Sequence, residues 1–222
     1  MKDFIFHEHP EIKDGQHAIL SPSQKTLHRE KLTEEQLDGL IRKRYAATIG
    51  TELHALAADL IKKRTPSNLL TKSSIKLKIF DTLKDANIPR RLIEPELYSD
   101  TLLMYIKDAI GFDLKPEVKL VYLYPIAWGT ADAIRYNPYN NTLRIHDLKT
   151  GTTPASLDQL VEYAAYFFLE YHIKPGDCQT IISIYQNGDI LTGYPTASDI
   201  LPIMDNAISF TKYIKNNYEE AT

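Results

Sequence analysis

Apolar positions along the chain follow two periods. From Thr33 to about Ile110 they recur at helical spacing, from Pro116 to Thr192 they alternate or form short runs, and from Thr196 they return to helical spacing. Thr33-Glu34-Glu35-Gln36 has the form of a capping box and opens a helix with Leu37, Leu40, Ile41 and Tyr45 on one stripe. Gly50 interrupts that pattern, so a second helix is predicted to carry Leu53, Leu56, Ala57, Leu60 and Ile61. It closes at Lys62-Lys63-Arg64, where cations suit the helix dipole, just before Pro66. Two more helices are expected near residues 74–86 and 99–110. Val118, Leu120 and Tyr122 then alternate with Glu117, Lys119, Val121 and Leu123 in a first strand. Residues 128–136 form a second strand, the turn formers Asn137-Pro138-Tyr139-Asn140-Asn141 follow, and Thr142-Leu143-Arg144 leads into a third strand from Ile145 that ends in a turn at Gly151. Ser156-Leu157-Asp158-Gln159 reads as another capping box, for a helix to about Tyr171. A strand over 178–185, a hairpin at Asn187-Gly188 and a return through Ile190-Leu191-Thr192 follow. Thr196 or Ser198 caps a last helix to about Asn217. Its stripe of Ile200, Ile203, Met204, Ala207, Ile208 and Tyr213 is expected to cover one sheet face. The order αβββαβ makes the fold class mixed α/β, with a helical N-terminal lobe over 1–115 and a core over 116–222 that together form one compact unit.

The candidate chemistry lies where the third strand ends. In Ile145-His146-Asp147-Leu148-Lys149-Thr150-Gly151, Asp147 and Lys149 share one strand face. A hairpin centred between Tyr139 and Asn140 pairs Asn137 with Thr142 and Ala133 with His146, and sets Asp132 opposite Asp147. At ~4 Å, with an effective dielectric near 20, two such carboxylates repel by about 4 kcal/mol. A bound Mg²⁺ or Mn²⁺ turns that repulsion into a ligand pair, and the Lys149 ammonium beside it can orient a water. Gln159 and Tyr163, four apart on one helix face, follow the turn closely enough to line the same cleft.

Gly129-Thr130-Ala131-Asp132, then Asp147-Leu148-Lys149, then Gln159 with Tyr163 resembles the RecB-like branch of the PD-(D/E)XK nuclease superfamily. That branch carries G-x-x-D, (D/E)-x-K and Q-x-x-x-Y in this order. Gly50-Thr51-Glu52-Leu53-His54 is similar to the helical G-x-x-x-H motif of the branch. The resemblance implies a restriction-endonuclease-like core and a metal-dependent DNA nuclease. Within it Asp132 and Asp147 are ligands to Mg²⁺ or Mn²⁺, with the Leu148 carbonyl and His54 as further ligands. Lys149 acts on the attacking water, and Gln159 and Tyr163 orient Lys149, the water or the DNA backbone. Glu117 could supply an extra acid but is read as facing outward. Iron–sulfur relatives need four cysteines, and this chain has one, Cys178, so no such cluster is expected.

The chain has 222 residues, 43% hydrophobic and 25% charged, an ordinary globular composition. A net charge of −3 argues against a nonspecific DNA coater, while Lys and Arg scattered over the helical half can still form a phosphate path. No apolar run is long enough to span a bilayer, and the N-terminus lacks a signal-peptide layout. With one cysteine, the expected setting is a reducing cytoplasm, bacterial or of a phage-infected host. Residues 1–30 read as an extended arm with a short strand at Ala18-Ile19-Leu20 and a helix start at Ser21-Pro22-Ser23; His7 and His9 suggest a metal only weakly. The expected partner is DNA, together with a recombination or annealing protein. A sequence-blind exonuclease is expected over an endonuclease, because no helix-turn-helix or added recognition domain is visible. The rival reading is a catalytically silent nuclease fold that binds DNA or docks a partner.

Overall fold

The computed structural model describes residues 32–218 together with Pro10, Glu11, Ala18 and Ser21. His7, His9, most of the short strand and the rest of the Ser21-Pro22-Ser23 start lie outside the described residues. Two compact units divide the chain, Met1–Ala47 and Thr48–Thr222, with the boundary inside the first helix. Helix α1 (Glu34–Lys62) opens on the Thr33 capping box: Gln36 N–H donates to the Thr33 hydroxyl at 3.2 Å and Thr33 N–H to Gln36 Oε1 at 2.8 Å. The helix does not stop at Gly50, contrary to the expected break. One interior glycine costs about 1 kcal/mol, too little to end a helix anchored on buried Leu53, Leu60 and Ile61.

Within the second unit, α2 (Lys72–Asp85) and α3 (Pro95–Gly111) pack on each other. Thr71 and Ser74 form the capping box of α2, and Pro95 starts α3 four residues earlier than the expected Ser99. A five-stranded mixed sheet follows in the order β1 (Lys115–Leu123), β2 (Ala127–Asn137), β3 (Thr142–Leu148), β4 (Gln179–Gln186), β5 (Asp189–Gly193). Only β3 and β4 run parallel, which requires a crossover, and α4 (Asp158–Tyr171) supplies it. Helix α3 contacts β3 and β4, while α4 lies over Leu143, Ile145, Ile182 and Ile184 in the main core. The hairpin forms at Asn187-Gly188, both with positive φ, as Asn-Gly predicts.

Two elements differ from expectation. Ser156 does not form a capping box with Gln159. Helix α4 begins at Asp158, whose N–H donates to the Ser156 hydroxyl at 3.1 Å, because the Gln159 amide is engaged with Lys149 and Tyr163. Helix α5 (Ala197–Tyr218) packs against α4 rather than over a sheet face. Of its stripe only Ile200 is fully buried, Ile203, Met204 and Ala207 are half-buried, and Ile208 and Tyr213 are exposed. Among the described residues no helix is long and apolar enough to cross a membrane.

A polar chain is buried between α3 and the sheet. The Tyr185 hydroxyl donates to Asp108 Oδ2 at 2.7 Å and lies 3.2 Å from His146 Nδ1. Since that hydroxyl has one proton, His146 must donate from Nδ1, which leaves Nε2 as an acceptor without a partner. Burial, with the nearby Arg144 charge, pushes the His146 pKa down to about 3. The unfolded chain therefore takes up a proton near pH 6.5 that the folded chain refuses until about pH 3. From this group, stability is full above pH 6.5 and falls through that window by at most roughly 5 kcal/mol. His146→Phe is expected to remove that slope. Urea melts of both proteins at pH 7 and pH 4.5 check it, and a wild-type loss matched by the variant would disprove it. Asp147, whose shift acts in the opposite sense, cancels in the comparison.

Candidate metal centre

Five chain segments build the site, and local structure explains how each arrives. Asp132 belongs to β2 at a point where the alternation breaks. Ala131 and Ile134, three residues apart, both face the α4 core, which unbroken alternation forbids. The β2–β3 ladder accordingly begins at Ala133 and His146, so Asp132 and Asp147 are not a paired couple. Instead Asp132 Oδ2 accepts the Leu148 N–H at 2.9 Å, which fixes the β3 peptide beside it. Opposite the break, Glu117 has a φ of 55°, rare for a residue with a β-carbon.

His54, one helical turn after Gly50 on α1, places Nδ1 3.3 Å from Asp132 Oδ2. Glu117, Asp132 and His54 each offer a ligand atom, all within 4.8 Å of one another. Glu117 thus faces the site, not outward as the sequence suggested. Strand alternation places it on the face opposite Val118 and Leu120, and only the arrival of His54 there makes that face a site rather than open surface. A cleft of about 620 Å³ opens over these residues, lined also by Gly50, Thr130 and Lys62.

Asp147 sits just behind, 4% exposed and outside that three-residue cluster. Lys149 Nζ lies 3.2 Å from Asp147 Oδ1 and 3.1 Å from Oδ2, but only the first is a hydrogen bond in its geometry. Oδ2 therefore remains a buried acceptor without a hydrogen bond. Lys149 also donates to Gln159 Oε1 at 2.8 Å, and Gln159 Nε2 to the Tyr163 hydroxyl at 3.3 Å. Gly129 explains how Tyr163 fits: a β-carbon there would stand 2.7 Å from the Tyr163 ring. Gly50 has a similar role, since its β-carbon would stand 3.2 Å from the Thr150 hydroxyl. The seven residues expected from the sequence thus fall into two adjoining networks, His54, Asp132 and the Leu148 N–H (not its carbonyl) in one, and Asp147, Lys149, Gln159 and Tyr163 in the other.

The electrostatics are those of crowded anions. Burial, then the Asp132 charge, pushes the Asp147 pKa up to about 6 despite Lys149. Burial and Asp132 likewise raise Glu117. His54 is lowered by burial, but its hydrogen bond to Asp132 and the fields of Asp132, Asp147 and Glu117 outweigh that and raise it overall. No family model matches the chain, and no curated protein or solved structure matches it. Carboxylate and imidazole donors with an orphaned buried carboxylate oxygen fit a hard divalent cation such as Mg²⁺ or Mn²⁺. The lone cysteine, Cys178, is not among them.

Proposed function

We propose that this chain is a metal-dependent DNA nuclease that hydrolyses phosphodiester bonds, built on a restriction-endonuclease-like αβββαβ core of the RecB-like type. The observation that carries it is the cluster of His54, Glu117 and Asp132 in one cleft, from segments far apart in sequence, with the buried Asp147 and its partner Lys149 just behind it. The order of strands and the α4 crossover agree with the motif resemblance. Asp132, Glu117 and neutral His54 would hold Mg²⁺ or Mn²⁺, with Asp147 and the Leu148 carbonyl completing the set. The cation supplies an activated water and charge stabilisation at the phosphoryl oxygens.

The chain's own groups do the rest. Lys149 points its ammonium toward the Asp147 carboxylate and is kept in that rotamer by Gln159. With Asp147 serving as a ligand, Lys149 would direct an N–H at the attacking water or at a phosphoryl oxygen. Tyr163 fixes the Gln159 amide, and Gly129 leaves the space for its ring. Contacts to DNA fall on phosphates, so the enzyme reads no sequence and weakens with salt. Unrestricted internal cutting would endanger a genome in the same compartment, so the substrate is an end. Cleavage of linear against covalently closed circular DNA, with Mg²⁺, Mn²⁺ or EDTA, tests this. Linear DNA alone should be degraded, and only with metal. Equal rates on both would remove the end preference, and inertness toward both would remove the nuclease.

A further inference from the structure

The two edges of the sheet differ in how they are closed. At one edge, β1 carries Lys115, Pro116 and Lys119, its register shifts between Val121 and Leu123, and Glu170 Oε2 on α4 accepts the Val121 N–H at 2.7 Å. Charge, proline, irregular register and a side-chain cap all keep a further strand from adding there. The other edge, Asp189-Ile190-Leu191-Thr192-Gly193 of β5, has none of these. Asp189 to Thr192 are all exposed, with Ile190 at 44% and Leu191 at 49%.

The direction of each peptide in β5 follows from β4. Tyr185 C=O accepts the Lys149 N–H at 2.9 Å, so Tyr185 and Ser183 turn their backbone groups toward β3, while Ile184 and Gln186 turn theirs toward β5. Leu191 and Asp189, opposite those two, therefore bond back to β4. Ile190 and Thr192 direct N–H and C=O away from the sheet, and among the described residues no group bonds to them there. Leu191 and Gly193 share the α4 face with Ile184 and Ile182, and the side chains of Ile190 and Thr192 lie on the other face.

We propose that β5 pairs antiparallel with β5 of a second copy of this chain, about a two-fold axis at Leu191, so that two five-stranded sheets join into one. A second copy is selected because the strand is complementary to itself in this register. Ile190 falls opposite the second copy's Thr192, and Thr192 opposite its Ile190, so every open backbone donor and acceptor of β5 finds a partner. Leu191 meets Leu191 at the axis, in the kind of pair whose side chains stand closest. Asp189, the one charge of the strand, falls opposite Gly193 rather than a like charge. An axis at Ile190 would set Thr192 against Gly188, whose N–H is already given to Thr101. An axis at Thr192 would set Ile190 against Tyr194, beyond the end of the strand. The pairing lies outside the carboxylate cluster, so it stands whether or not the chain cleaves DNA.

Sedimentation of the full chain in EDTA, over a concentration series up to about 200 µM, tests it. The wild type should pass reversibly from one chain mass to two. Leu191→Lys and Leu191→Glu each set like charges opposite at the axis and should each weaken association at least about tenfold. Mixed in equal amounts, the two variants should form the heterodimer. In the wild type, the Ile190 and Thr192 amides should exchange with deuterium at least about tenfold more slowly at high concentration than on dilution, a reading that needs no variant. A wild type that stays at one chain mass would overturn the proposal and leave the edge to a strand of another protein. So would a dimer that Leu191→Lys does not weaken, variants that fail to associate when mixed, or edge amides whose exchange ignores concentration.

Discussion

Lys149→Ala is expected to lower DNA cleavage by roughly 10²–10³-fold, the loss that follows removal of one preorganised charge-stabilising donor. Lys149 is the cation held closest to the buried carboxylate, at 3.1 Å from Asp147 Oδ2, and its second bond to Gln159 Oε1 fixes its direction. Asp147→Asn should abolish turnover as well, because Asn keeps the shape and loses the charge that holds a divalent ion. The two differ in stability. Removing Lys149 leaves Asp147 buried with its main counter-charge gone, so that variant should be less stable at neutral pH. Asp147→Asn removes an anion that burial and Asp132 already disfavour, so that variant should be equal to or more stable than the wild type. Single-turnover cleavage in Mn²⁺ together with chemical denaturation reads both. A folded Asp147→Asn protein with normal turnover would eliminate the proposed centre.

The second large effect is on metal-linked stability. A cation that binds only the folded chain stabilises it by about 2.7 kcal/mol at a hundred times its dissociation constant. For a unit of this size that is a rise in Tm of roughly 5–10 °C. Asp132 is the carboxylate central to the cluster, touching His54 at 3.3 Å and the Leu148 amide at 2.9 Å. Asp132→Asn can still accept that amide, so the fold should persist, but the variant should gain far less from Mg²⁺ or Mn²⁺. In EDTA it should melt at or above the wild type, because Asp132 raises the proton affinity of Asp147 and Glu117 through like-charge repulsion. Scanning calorimetry with and without metal checks this. Identical metal-induced shifts in both proteins would mean that Asp132 is not a ligand.

Local periodicity was enough to identify most elements of this chain by sequence alone. The Thr33 cap, the β2–β3 register from Asn137 and Thr142 to Ala133 and His146, the end of α4 and the Asn187-Gly188 turn all depend on neighbours a few residues away. The spacing of Asp147 and Lys149 on one strand, and of Gln159 and Tyr163 on one helix, is local for the same reason. Three features were decided only by long-range packing. Gly50 read as a helix break, but it permits close approach to Thr150, one hundred residues away in sequence, and the helix runs on. Asp132 was expected to pair across the hairpin with Asp147, yet the break in β2 turns it toward His54 and the Leu148 amide. Glu117 read as solvent-facing, because side-chain direction in a regular strand is set by parity alone. Parity does set it on the face opposite Val118 and Leu120, but only the arrival of His54 and Asp132 on that face makes it part of a three-residue cluster. The types and spacing of the site residues are written in short stretches of sequence. Which oxygen meets which nitrogen depends on backbone irregularities that only the packed sheet and helices impose.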